Sequence, residues 1–452
     1  MEEERAGVRE VPGRGVRRGI PRRGSQEDVI LNFDKVICGR MYIDGQLTYS
    51  EVGITDGKIA EVGKRVAGGE ERIDLGTSMT VLPGFMDPHV HLRDPGLTHK
   101  EDFPTGTSAA VCGGVTCVLD MPNTKPPVTN VETLLDKKRA VKGRAFADYG
   151  LFAALTPNCP VGLLSKHVPA FKMFMGSTTG NILMNDDEEI APLMDEIAST
   201  GKVLSVHAED DNFIEHNVQE NCCQDHLRNR PVEAEFSALR RLAPYKDRVK
   251  INICHCTNAE QVRRASELGF TTEVTMHHLT FDALSNTTSF YKTNPPVRDA
   301  ATRDGLYRAF LEGKITMFGT DHAPHTYEEK TQEFDSAPGG IPGVETCMPM
   351  VMEKVRTAEI PMSLAVRMGA EAPCDRFSVK KGRIAAGYDA DFAIFDMRNV
   401  SQIDLRKLHS KAGFNPYQGM RAVFPDTVII RGQVQVSEGE LCGEPIGRDI
   451  CG

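Results

Sequence analysis

Two histidines stand two residues apart in Met86-Asp87-Pro88-His89-Val90-His91-Leu92-Arg93-Asp94-Pro95-Gly96, at the end of an apolar run, and an arginine follows two residues later. On a strand, residues i and i+2 point to the same side. His89 and His91 therefore aim two imidazoles at one point, which is what a divalent metal needs. The pair carries little weight alone, because 13 histidines in 452 residues give about 0.4 such pairs by chance. Two partly exposed strand histidines would leave the same trace. The positions of the other ligand types decide between the two.

Those positions depend on the elements that carry them. Strand-like apolar runs occur at 82–91, 115–121, 149–155, 170–175, 203–208, 251–256, 272–277 and 315–321, and amphipathic stretches such as 188–200 and 258–268 separate most of them. Strands alternating with helices predict an α/β fold with a parallel sheet, and eight such units predict closure into a β/α (TIM-type) barrel. A doubly wound sheet uses the same units, but no glycine-rich turn follows the first run. Before the barrel, short strands and tight turns run from 29 to 82, with Asp56-Gly57 as a hairpin signal. The same texture returns near 387–395 and 428–434. The two chain ends thus predict one small β-sandwich, with parts at 29–82 and 383–440 around a barrel at 83–382. Residues 1–28, rich in Arg and Gly, and residues 441–452 are expected to be tails. The glycines at 13, 15 and 19 do not make a dinucleotide fingerprint, since their spacing is wrong and no strand precedes them.

Barrel active sites sit at the C-terminal ends of the strands. The first run ends in His89 and His91, the fifth in His207, the sixth in His255, and the eighth in Asp321. The fourth carries Lys172. Each has a dull explanation by itself, as a rim or core residue, but a barrel brings these ends to one mouth. Lys172 is the odd member, because an ammonium repels metal cations. A snorkelling lysine is one reading. The other is that burial among cations favours the neutral amine, which can combine with carbon dioxide to give an anionic carbamate with two oxygens, suited to bridging two metals.

With these residues in place the chain resembles the amidohydrolase superfamily and, within it, the dihydroorotases. The likeness spans about 29–439 and rests on His-Val-His-Leu-Arg-Asp-Pro-Gly (89–96), Met-Pro-Asn-Thr (121–124), Asn-Pro-Pro-Val-Arg (294–298) and Asp-His-Ala-Pro-His (321–325). The resemblance implies a binuclear centre. His89, His91 and Asp321 would hold one metal, His207 and His255 the other, and N6-carboxylated Lys172 would bridge them. Two zinc ions per subunit suit this set, and other divalent metals fit it as well. The activity implied is reversible cyclisation of N-carbamoyl-L-aspartate to L-dihydroorotate plus water in pyrimidine biosynthesis. A hydroxide bridging the metals would react, with Asp321 as general acid and base. His91, Arg93, Asn123, Asn294, His325, Gly339 and Gly340 match substrate-contacting positions. Arg93 suits a carboxylate through a bidentate pair. Asn123 and Asn294 offer a donor and an acceptor, although both would also serve as turn residues. The main rival is another cyclic amidohydrolase, of the dihydropyrimidinase or allantoinase type. Such enzymes share the ligands but do not usually combine an arginine after the His pair with the second histidine of Asp-His-Ala-Pro-His. Metal-free scaffold relatives typically lack a ligand, and here all six are present.

Composition narrows the partners. A net charge of −10 and the absence of Trp speak against a nucleic-acid face, which leaves a small-molecule substrate. No run approaches 18 apolar residues and no signal-peptide core is visible, so neither membrane nor secretion is expected. Twelve cysteines without a C-x-x-C pair read as free thiols in a reducing cytoplasm. A homodimer is compatible with the chain, as is association with aspartate transcarbamoylase, a feature of some relatives. His277 is expected behind the ligands or at the rim, and His99, His216, His226 and His409 at the surface.

Overall fold

The computed structural model describes residues 33–178, 180 and 182–452. The tail expected over 1–28 and most of the strand expected at its end lie outside the described residues. Each of the eight expected runs contains a strand. In order these are Phe85–Val90, Val115–Asp120, Asp148–Leu151, Ala170–Phe174, Val203–His207, Lys250–Ile253, Thr271–Val274 and Met317–Phe318. All are parallel to their neighbours. The first, second and fourth are buried along their whole length, as strands covered by helices on one face and filled on the other must be.

The barrel is distorted. Its first three strands form one parallel sheet, and the rest form another that begins at Ala153–Ala154. The third strand breaks at Phe152, where the two sheets part. The ring closes through a bridge between Val90 and His322, with the His91 N–H donating to the His322 carbonyl at 2.8 Å. The helices begin where short polar side chains cap them. Asp102 accepts from the Thr105 N–H ahead of Phe103–Cys112, Asn130 and Thr133 form a capping box ahead of Val131–Val141, and Asn258 caps Ala259–Glu267. The seventh run is shorter than expected. It ends at Val274, and Thr275 caps a helix over Met276–Thr280, so His277 sits on that helix and is buried.

Both chain ends enter one nine-stranded sheet. Strand Thr80–Pro83 is parallel to Lys35–Ile43 on one edge and antiparallel to Phe392–Phe395 on the other. The hairpin expected at Asp56-Gly57 joins Gln46–Thr55 to Lys58–Gly63, with φ of 51° and 73° at the two turn residues. The sheet curls over its own core, where Ile37, Met41, Val52, Phe392 and Ile394 meet. The alternate residues Ala393 and Phe395 face the barrel core instead. This period-two division makes one strand part of both layers and forms the small sandwich. Residues 441–443 still pair with the terminal sheet, and 447–450 lie along the third barrel strand. Tyr149 N–H donates to the Arg448 carbonyl and Ile450 N–H to the Tyr149 carbonyl, both at 2.9 Å.

Candidate metal centre

The C-terminal ends of the barrel strands place polar side chains around one cavity. It is lined by His89, His91, Lys172, His207, His255 and Asp321, with Arg93, Asn123, Asn294, Gly339 and Gly340. The chain turns sharply at three of these strand ends. Arg93, His255 and Asp321 have φ of 60°, 36° and 47°, in the left-handed region that non-glycine residues rarely occupy. Strain of this kind concentrates where a side chain must be aimed.

His89, His91 and Asp321 offer ligand atoms within 4.8 Å of one another. Asp321 Oδ1 is 2.9 Å from His91 Nε2 and 3.3 Å from His89 Nε2. Burial pushes the Asp321 carboxyl up, but His89, His91 and His255 together hold it well below the usual carboxylate range. Across the cavity His207 Nδ1 lies 3.1 Å from His255 Nε2. His255 is pushed well below the usual imidazole range, by burial first and then by His207. Lys172 is fully buried, with Nζ 3.5 Å from His89 Nε2, 3.0 Å from Cys254 Sγ and 5.1 Å above the Phe174 ring. Among the described residues no carboxylate pairs with it. Cys254, Glu273 and His89 form a further group of donors within 4.8 Å, sharing His89 with the first.

The surroundings fit a cation. Each imidazole has one nitrogen engaged from behind or left without a partner. His89 Nδ1 meets Glu273 at 2.9 Å, His91 Nδ1 meets Asn123 Oδ1 at 2.7 Å, and His207 Nε2 meets Glu209 at 2.8 Å. Acceptors at those positions fix the tautomer and turn the other nitrogen's lone pair inward, as outer partners do at histidine metal sites. His255 Nδ1 is buried with no hydrogen-bond partner among the described residues, a cost that a native fold rarely leaves uncompensated. The outer carboxylates are anchored in turn. Asn252 donates to Glu273 at 2.6 Å, and Arg230 donates to Glu209 at 2.6 Å. Burial pushes Glu209 up, but Arg230 and His207 hold it far below its ordinary range.

Arg93 is buried in the cavity wall. Its Nε donates to the Pro324 carbonyl at 3.2 Å, and Nη2 lies 3.1 Å from His325 Nε2. Among the described residues it forms no ion pair with a carboxylate. Burial lowers it to about 10, despite the more distant Asp321 and Asp120. His325 stands one layer behind the wall. Its Nδ1 lies 3.1 Å from the Lys100 ammonium, and its Nε2 lies 3.1 Å from the Gly339 carbonyl oxygen. Gly340 has φ of 149°, and a Cβ there would stand 2.3 Å from the Ala323 carbonyl oxygen, so only glycine lets this loop close on the cavity.

The structure brings all six expected ligands, and Arg93, Asn123, Asn294, Gly339 and Gly340, to one cavity. It corrects one surface assignment. His226 is 4% exposed and buried beside Asn294, while His99 and His216 are exposed and His409 is half-buried. Sequence reasoning also passed over Glu273 and Glu209. Glu273 is a charge in the middle of a buried strand, which is itself a signal. Glu209 follows His207 by two residues.

Among known proteins, a profile of the Amidohydrolase family matches residues 80–434. A dihydroorotase of Thermoplasma acidophilum is 34% identical over 416 residues, covering 92% of this chain and 97% of its own. A dihydroorotase of Methanosarcina acetivorans is 34% identical, covering 90% of this chain and 92% of its own. Among solved structures, an L-hydantoinase (dihydropyrimidinase) from Arthrobacter aurescens superposes with a TM-score of 0.85 at 25% identity, over 91% of this chain and 98% of the other. A dihydropyrimidinase from Brevibacillus agri does so with 0.82 at 26% identity, over 92% and 97%. The barrel with its curled terminal sheet, the inward histidines and these end-to-end matches share one explanation: the chain belongs to the amidohydrolase family.

Proposed function

We propose that this amidohydrolase is a dihydroorotase, closing N-carbamoyl-L-aspartate to L-dihydroorotate with loss of water, and opening it in reverse, as a step of pyrimidine synthesis in the cytoplasm. The observation that carries the reading is Arg93: a buried guanidinium on the cavity wall with no carboxylate of its own among the described residues. A buried charge needs a partner, and a substrate carboxylate that does not react supplies one. Hydantoin and dihydrouracil carry none. On this reading residues 83–382 are the hydrolase barrel, and 29–82 with 383–440 are its accessory sandwich.

His89, His91 and Asp321 would hold one divalent cation, zinc by the donor set, and His207 and His255 a second, with carboxylated Lys172 as the shared ligand. When bound, such a pair supplies Lewis acidity and brings the pKa of a water toward neutrality. A buried Lys172 amine with no counter-anion among the described residues supports the carbamate, because the added group is anionic. Asp321 takes the proton of the attacking water and returns it to the departing ring nitrogen. In closure it runs in reverse and hands a proton to the departing oxygen. Arg93 holds the unreactive carboxylate, and Asn123 and Asn294 address the ring and ureido edges. Closure consumes a proton, since a carboxylate becomes a neutral amide, so the ring is favoured as pH falls.

Substitution of Arg93 tests this. Arg93→Met should lower kcat/KM for dihydroorotate by about 100- to 1000-fold, the cost of removing one side of a buried charge pair, while metal content by elemental analysis stays at the wild-type level. Faster wild-type turnover of dihydrouracil or hydantoin than of dihydroorotate would make the chain a cyclic amidohydrolase of the dihydropyrimidinase type instead.

A further inference from the structure

We propose that His226 is a positioning residue for substrate recognition: it stands behind Asn294 and locks that amide with its N–H2 turned into the cavity, as a donor for a substrate oxygen. The inference rests on the dihydroorotase reading for the identity of the substrate used to test it.

The geometry fixes the orientation without appeal to the amide itself. His226 Nε2 lies 3.0 Å from the Thr293 carbonyl oxygen and 2.9 Å from Asn294 Oδ1. A backbone carbonyl can only accept, so Nε2 carries a hydrogen. The Asn294 atom facing the same N–H must then be its oxygen, since the amide nitrogen can only donate. With Oδ1 engaged behind, Nδ2 is the atom presented to the cavity that Asn294 lines. Among the described residues nothing accepts from Nδ2.

His226 is itself held. Its Nδ1 lies 2.8 Å from Glu220 Oε2, which Lys292 also approaches at 3.2 Å, and Asn229 donates to Oε1 at 3.2 Å. Burial pushes Glu220 up, but His226, Lys292 and Asn229 outweigh it and bring its carboxyl down to about 2. The same small network stitches the two segments of the cavity wall together. Gly340 N–H donates to the Lys292 carbonyl at 2.8 Å, and buried Lys330 donates to the Pro338 carbonyl at 2.9 Å and the Gly340 carbonyl at 3.2 Å. Asn294 is therefore a fixed donor on a rigid wall, not a rotor that adapts to either polarity. That is a selection rule: the substrate must present an oxygen there.

Two substitutions at Asn294 and two at His226 test the rule, with steady-state kinetics on dihydroorotate. Asn294→Asp keeps an oxygen for His226 and replaces the inward N–H2 by a second oxygen. KM should rise about 100-fold, as expected when repulsion replaces a donor. A change of less than about threefold would mean the cavity meets an acceptor at this position, and would overturn the proposal. His226→Leu should raise KM about tenfold, the worth of one hydrogen bond, with kcat within about threefold. His226→Gln, whose terminal N–H stands near the place of Nε2, should recover most of that loss. On an Asn294→Ala background, His226→Leu should add less than about twofold, because the group it acts through is gone. An undiminished tenfold effect there would show a merely structural role. If His226→Leu does not fold, His226→Asn, whose shorter amide does not reach the place of Nε2, takes its part with the same outcomes expected. A wild type that turns over no dihydroorotate removes the reading of the function, and this inference with it; a wild type that does, with His226 variants unchanged in KM, removes only the inference.

Discussion

Glu273 shows how much of this site is built one atom away from the cavity. It does not line the cavity, yet its carboxylate fixes which nitrogen of His89 is free. Glu209 does the same for His207, and Asn123 for His91. The bridging role proposed for Lys172 depends on added chemistry, and it carries the clearest test at this scale. Lys172→Ala should lose most activity, and short carboxylic acids such as acetate or propionate should restore part of it by standing in for the carbamate. Unchanged activity would remove the bridging role, and mass spectrometry of the intact wild type under native conditions should find the added carbon dioxide. The residues expected as ligands could be brought to one cavity from the sequence because all but Lys172, which lies within its run, stand at or near the end of an apolar run, a position where a barrel gives them one destination. Glu273 was equally exposed to that logic, as a charge within the run 272–277, but a lone carboxylate names no partner. His226 was not legible. Its burial depends on Asn294, 68 positions later, and no local pattern encodes a contact across that distance.

At the scale of elements, the strands were readable because parallel strands buried on both faces must be apolar throughout. The error in the seventh run has a local cause. Thr275 accepts from the His278 N–H and starts a helix, so an apolar stretch of six residues divides between two elements. Helix Val232–Leu242 supplies a prediction of its own. It buries Glu235 against Thr257, Asn258 and Arg298. Burial, with a smaller push from Glu209, raises that carboxyl to about 7 against the pull of Arg298. Its ordinary value is near 4.5. Between these two pH values the unfolded chain releases the proton while the folded one keeps it, so stability falls as pH rises. The contribution is complete below the lower value and gone above the higher. Thermal denaturation of wild type and Glu235→Gln across pH 4.5 to 7.5 should show a shallower decline for the variant, whatever its midpoint. Parallel slopes would mean Glu235 ionises normally.

For the whole molecule, the sandwich and the barrel are not separable pieces. Phe392 and Ile394 belong to the sandwich core, while Ala393, Phe395, Val428 and Ile430 pack into the barrel's. The recurrence of hairpin texture at both ends made the shared sheet legible, but not its strand order, which is set by long-range pairing. The docking of 447–450 on the third barrel strand was also hidden, since it is held by backbone bonds of Gly447, Arg448 and Ile450 and by an ion pair of Asp449 with Lys138, neither of which a local pattern encodes. A fragment spanning 84–390 should therefore fail to form a cooperative unit. Without the strands on either side it exposes the apolar face that Phe395 and Val428 cover, and limited proteolysis with near-ultraviolet circular dichroism should find a protease-sensitive, loosely packed state. A sharp thermal transition in that fragment would show that the barrel folds independently.

The pairing of Thr80–Pro83 with Phe392–Phe395 also has a consequence in time. A ribosome delivers the first strand about 300 residues before the second, an interval of roughly 15–60 s at ordinary rates of synthesis. Throughout that interval the edge of Thr80–Pro83 has lost none of its hydrogen-bonding capacity and has no native strand to receive it. A nascent chain of this design spends most of its synthesis with an open sheet edge. It must reach the exit of the tunnel with that edge guarded by a chaperone or by the emerging barrel, or else risk pairing with the nascent chain on the next ribosome.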